Sequence, residues 1–285
     1  MLKRLALLSA LLLSGPAWAD PALWAVRGPH ATVYLLGSFH LLRPGTDWQG
    51  PAIRRAFAEA RRCWFEIVLP ENPNELAGPV MLAGFDPLHR LSDLLPPERR
   101  DQLAAAAGRA GVGDGIQVMR PWLAAMVLSE QPLVAAGFDP ALGVDTVLQR
   151  QAREAGKEVG GVETAQSQLQ LLANLPPELA MRLLTATLDD TEDGPALIEA
   201  GINQWLAGNP DGTVERMTQR LRAEAPDLYR IVFTDRNEGF AQAVQGFLAG
   251  EDTVLLTVGA GHLAGPGNVR ELLERRGIKV ERVAE

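Results

Sequence analysis

Two apolar runs of strand length, one near each end of the chain, run into a glycine-spaced histidine. Thr32–Leu36 leads into Gly37-Ser38-Phe39-His40, and Thr253–Val258 leads into Gly259-Ala260-Gly261-His262. Short apolar runs closed by glycine read as buried strands. In an open α/β sheet, ligands collect beyond the carboxyl ends of the strands, so a sheet that draws strands from both ends of the chain brings the two imidazoles to one rim.

The rest of the chain agrees with such a sheet. A helix is expected from Pro51 to Arg62, with proline in its first turn, followed by a strand from Arg62 to Leu69; a strand-helix-strand unit of this length pairs its strands in parallel. Helices follow over Pro97–Ala110, Pro121–Ser129 and Gly143–Ala155, the last closed by Gly156, with a short strand at Lys157–Gly161. From Thr164 to Leu248 the pattern is helix after helix, broken at Pro176-Pro177, Gly194-Pro195, the Gly208–Gly212 turn and Pro226. Helix Gly267–Arg276, capped by Gly277, and strand Lys279–Val283 complete the chain. The expected fold is α/β: a central mixed, mainly parallel sheet built from the N- and C-terminal segments. Helices flank it, and a large helical insertion occupies about residues 75–250 of a single domain over residues 20–285.

Residues 1–19 carry Lys3 and Arg4, then an apolar stretch, then Ala17-Trp18-Ala19, the pattern of a cleaved secretory leader. The apolar stretch is too short to span a bilayer, so a soluble periplasmic or secreted protein starting near Asp20, with no membrane anchor, is expected. Beyond the leader 25 basic face 35 acidic side chains. That balance disfavours nucleic-acid binding. The single cysteine, Cys63, sits among Arg62, Trp64 and Phe65 and reads as a small buried hydrophobe, so no internal disulfide staples the fold.

Of the four histidines, His40 and His262 have the glycine-turn setting that presents an imidazole to a cleft, whereas His30 and His89 read as solvent or local structure. Glu66 lies in the apolar run Cys63–Leu69, where a carboxylate needs a partner unless alternation turns it to a solvated face. Glu163 and Asp145 each precede or open a helix, where an acid faces the positive end of the helix dipole. Gln168 follows Glu163 within one helix. Arg236 and Asn237 open the helix before the second histidine strand, and an arginine there opposes the dipole unless it meets an anion. No G-x-S-x-G elbow, H-E-x-x-H helix or Walker loop is present.

As an ordered set, Tyr34–His40, Phe65-Glu66-Ile67, Gly143–Thr146, Gly161–Thr164, Arg236-Asn237 and Val258–Leu263 resemble the TraB/PrgY/GumN family over nearly the whole mature chain, most closely its GumN-like bacterial branch. That family is related to the TIKI metallopeptidases and more distantly to erythromycin esterases and ChaN-like haem-binding proteins. The resemblance implies a peptidase centre holding a divalent metal ion, Mn, Co or Zn, with His40, Glu66 and His262 as ligands. It implies Glu66, Glu163 and Arg236 as catalytic residues, and Arg236, Asn237 and Gln168 near a peptide or small-molecule substrate. Val68 stands where relatives often carry an acid. The residues themselves support metal-assisted hydrolysis, and they leave open a metal-free hydrolase with histidine as general base and a haem or small-ligand binding protein without turnover.

Overall fold

The computed structural model describes residues 20–284, apart from residues 69, 71, 73–74 and 191–192; the expected leader and the last residue of the expected Arg62–Leu69 strand lie outside the described residues. Six strands form one sheet: β1 (Leu23–Arg27), β2 (Thr32–Ser38), β3 (Arg62–Ile67), β4 (Glu158–Glu163), β5 (Thr253–Gly259) and β6 (Val280–Arg282), in the spatial order β4-β3-β5-β2-β1-β6. β4, β3, β5 and β2 are mutually parallel, while β1 runs antiparallel to β2 and β6. The sheet is therefore mixed and mainly parallel, as the sequence indicates.

Three details of the sheet differ from the sequence reading. β1 was not expected, because Leu-Trp-Ala-Val-Arg is short and lacks alternation; four of its five residues are buried, and it takes its form from pairing on both sides. β4 comes from the middle of the chain and joins the sheet at its edge. β2 and β3 are the parallel pair of a strand-helix-strand unit, yet they do not touch: β5, from the far end of the chain, inserts between them, with Leu36 opposite Thr257 and Phe65 opposite Thr257 on the other side.

Proline and glycine punctuate the helices as their backbone chemistry requires. The helices are α1 (Pro51–Glu59), α2 (Ala77–Gly84), α3 (Pro97–Arg109), α4 (Pro121–Ala135), α5 (Val144–Glu154), α6 (Ala165–Ala173), α7 (Pro177–Asp190), α8 (Gly194–Leu206), α9 (Pro210–Glu224), α10 (Pro226–Tyr229), α11 (Asp235–Leu248) and α12 (Val269–Arg275). Proline in the first turn loses no intrahelical hydrogen bond, which explains its recurrence there. α4 nevertheless runs through Pro132, six residues past its expected end at Ser129. A π-helical turn, Arg230–Thr234, joins α10 to α11 without a break in helical backbone. Arg236 is thus inside a continuous helical run rather than at a free N-terminus, and the dipole argument for it does not apply.

Both faces of the sheet are covered. Leu36, Phe65, Leu255 and Cys63 on one face pack with Ile53 of α1 and Val144 and Leu148 of α5. Val33, Leu35, Val254, Leu256 and Val258 on the other pack with Phe240, Ala241 and Val244 of α11 and Leu273 of α12. Each such fully buried side chain contributes roughly 1.5–3 kcal/mol, so the strand ends that carry the polar residues are held by a rigid base. α3, α4 and α7 share a separate core around Leu103, Leu128 and Leu184. No helix among the described residues is long and apolar enough to cross a membrane.

Candidate functional site

Because β4, β3, β5 and β2 are parallel, their carboxyl ends lie along one edge, and they deliver Glu163, Glu66, Gly259 with His262, and His40 in that order. Glu66 is 7% exposed, and alternation does not turn it to solvent. Its Oε1 accepts from Gln168 Nε2 at 2.7 Å and from Arg236 Nη2; its Oε2 accepts from the Gly259 backbone N–H at 2.9 Å. Arg236 also forks onto Glu163, Nε donating to Oε1 at 2.9 Å and Nη2 to Oε2 at 2.6 Å, and Gln168 Nε2 reaches Glu163 Oε2 at 2.8 Å. Burial alone would raise the Glu66 pKa, but the Arg236 and His40 charges and the Gly259 N–H together hold it below the usual carboxylate range.

Each histidine is tied at Nδ1. His262, 3% exposed, has Nδ1 2.7 Å from Asn237 Oδ1, and Asn237 Nδ2 donates to the Gly267 carbonyl at 2.8 Å. A carbonyl only accepts, so that second bond fixes the Asn237 amide and makes His262 Nδ1 the donor. Burial pushes the His262 pKa down to about 4, leaving a neutral ring whose Nε2 lone pair faces Glu66 Oε2 at 3.7 Å. His40 is the exposed one. Its Nδ1 stands 2.8 Å from Asp145 Oδ2, and the charge and hydrogen bond of Asp145 raise the His40 pKa to about 9.

Two glycines permit this assembly. A Cβ on Gly143 would stand 2.2 Å from the His40 carbonyl oxygen, so only glycine lets the start of α5 press against the His40 backbone and bring Asp145 under the ring; Val144 N–H donates to the Phe39 carbonyl there at 3.0 Å. A Cβ on Gly259 would stand 3.3 Å from Glu66 Oε2, 3.6 Å from His262 Cδ2 and 3.8 Å from His40 Nε2. The missing methyl leaves a small niche bordered by all three side chains.

The structure thus gathers His40, Glu66, Glu163, Gln168, Arg236, Asn237 and His262 at one sheet edge. It places Asn237 behind His262 and binds the Arg236 donors to Glu66, Glu163 and the Val232 carbonyl. Asp145, which sequence reasoning reads as a first-turn acid, proves to be the His40 partner; its burial, 7% exposed, separates it from ordinary first-turn acids and is invisible in sequence. The Gly259 N–H as a Glu66 ligand left no sequence signal beyond the glycine itself. His30 and His89 are exposed.

The model of the TraB/PrgY/gumN family matches residues 22–282. The chain belongs to that family. It is 24% identical over 266 residues to the protein named Uncharacterized protein YbaP of Escherichia coli (strain K12), a match covering 88% of this chain and 96% of the relative. The protein of the same name from Shigella flexneri matches at the same identity and coverage. No solved structure matches the chain.

Proposed function

We propose that this edge is a hydrolytic centre in which His40 Nε2, His262 Nε2 and Glu66 Oε2 hold one divalent cation, in an exported, periplasmic or secreted protein acting on a peptide or small-molecule substrate. The observation that carries the reading is the pair of facing acceptors, neutral His262 Nε2 and Glu66 Oε2, 3.7 Å apart beside the Gly259 niche. Such a pair calls for a cation or a donor from outside the protein.

The donor chemistry fits a cation that displaces the Nε2 proton of His40: two imidazoles, each with Nδ1 engaged by an amide or carboxylate so that Nε2 faces the niche, together with a carboxylate oxygen. Among the described residues no group of three or more His, Cys, Asp or Glu is already placed to grip an ion, and His40 Nε2 borders the niche at the greatest distance of the three. A bound cation supplies Lewis acidity and acidifies water. Arg236 keeps Glu66 ionised, Asn237 holds the His262 tautomer, Asp145 orients His40, and Glu163 and Gln168 hold Arg236 and Glu66 in place.

The opposed protonation of the two rings favours a second reading. With His40 raised to about 9 and His262 lowered to about 4, one is an acid and the other a base at neutral pH, which suits hydrolysis without metal. Elemental analysis of protein purified without chelator, compared with the His40→Ala/His262→Ala double variant and paired with cleavage of a peptide mixture with and without chelator, separates the two. Stoichiometric metal present only in the wild type supports the first; turnover by metal-free protein supports the second; equal metal content in both proteins removes the first.

A further inference from the structure

Two cavities meet at the site. One, about 430 Å³, lies toward α4 and α5; the other, about 320 Å³, lies toward α9 and the π-helical turn; His40, Leu41, Glu66 and Leu133 border both. Gly259 and His262 line only the second, so the niche opens into that chamber, with His40 and Glu66 at the passage to the first. A third cavity, about 270 Å³, opens beyond Leu133 and Ile198 between α4, α7 and α8.

The second chamber is walled by Ile198, Val214, Val232 and Phe233, and its ionisable members are all site groups: His40, Glu66, Arg236 and His262. Arg236 is already paired with both Glu66 and Glu163. In the third cavity the charged pair Asp190 and Arg220 are joined to one another at 2.9 Å. Away from the site groups the wall of the second chamber carries no ionisable side chain, so a charged group seated against it would lose its hydration without a partner, whereas an apolar group gains from leaving water. Volumes of this size suit a whole side chain or a small chain of atoms.

We propose, resting on the hydrolase reading, that the second chamber is a specificity pocket for a bulky uncharged apolar side chain next to the scissile bond of a peptide. Ile198, which borders this chamber and the third cavity, sets its depth.

The test uses calorimetric binding of two uncharged probes, N-acetyl-Phe-Leu-amide and N-acetyl-Ser-Ser-amide, to the protein beginning at Asp20. The apolar probe should bind at least about tenfold more tightly, since one methylene in such a pocket is worth about that factor. Ile198→Trp, which fills the chamber, should bring the two probes within about twofold, and Ile198→Ala should keep the preference and extend it to naphthylalanine in place of Phe. Equal affinity for the two probes, binding of neither, or a preference untouched by both variants overturns the proposal. Mass-spectrometric mapping of cuts in an unbiased peptide mixture runs alongside. Cuts without apolar preference overturn the pocket and leave the hydrolase; a binding preference without any cut supports the pocket and removes the hydrolase.

Discussion

His40 Nδ1 stands 2.8 Å from Asp145 Oδ2, although 105 positions separate the two residues. The carboxylate fixes the ring and raises its pKa to about 9. Asp145→Asn keeps the shape and removes the charge, so the His40 titration should fall toward the ordinary histidine value of about 6.5 in an NMR pH series. Metal affinity or turnover should drop by about 10–100-fold, as for other outer partners of ligating histidines. An unmoved His40 titration would show that the pair is not formed.

The opposite shifts of the two histidines set the pH profile of stability. His40 is raised, so its contribution is complete below pH about 6.5 and fades as pH climbs toward 9; His262 is lowered, so its contribution is complete above pH about 6.5 and fades as pH drops toward 4. Glu66, held low, adds a further loss in acid. Urea midpoints should therefore peak between these limbs, with the alkaline limb shallow because His40 is largely exposed, and Asp145→Asn should flatten that limb alone.

Arg236 is the common counter-charge of Glu66 and Glu163. Arg236→Ala leaves two buried or half-buried carboxylates without it and should cost roughly 3–5 kcal/mol in denaturant unfolding. Arg236→Lys restores a point charge but not the fork and should fall between the two proteins. A loss under about 1 kcal/mol for the alanine variant would mean that the cluster is not formed in solution.

Gly259→Ala places a methyl in the niche at a position where the backbone, at φ −49°, accepts any residue. Stability should fall by roughly 1 kcal/mol, with the fold retained. Cation binding and turnover should fall by about 100-fold, because the three side chains can no longer close on a common guest. Unchanged binding in a folded variant would place the ligand elsewhere.

Asn237→Ala should expose the role of the buried amide. It strips partners from His262 Nδ1 and the Gly267 carbonyl, at roughly 1–3 kcal/mol for each group left unsatisfied. Asn237→Asp, nearly isosteric, should instead raise the His262 pKa from about 4, read by NMR, because it sets a negative charge against the ring.

Periodicity and punctuation made most of the scaffold legible in sequence. The runs Thr32–Leu36 and Thr253–Val258 announced β2 and β5, Gly156 and Gly277 adopt the left-handed backbone that closes a helix, at φ 66° and 75°, and Pro51 and Pro97 mark helix starts. These are local preferences of backbone and side chain, and they survive whatever packs around them. β1 and the passage of α4 through Pro132 were not legible, because pairing and packing overrode weak local signals.

The amino-acid order by itself determined which side chains stand at strand ends: two glycine-spaced imidazoles, Glu66 within an apolar run and Glu163 after a short one. Only the tertiary structure decided their partners. Arg236 reaches Glu66 across 170 positions, the Gly259 N–H reaches it across 193, and Asp145 reaches His40 because Gly143 lets α5 touch the chain there. The reason is physical: strand and helix preferences act over a few residues, whereas charge pairing, desolvation and the fit of a niche depend on which surfaces the packed sheet brings within a few ångströms.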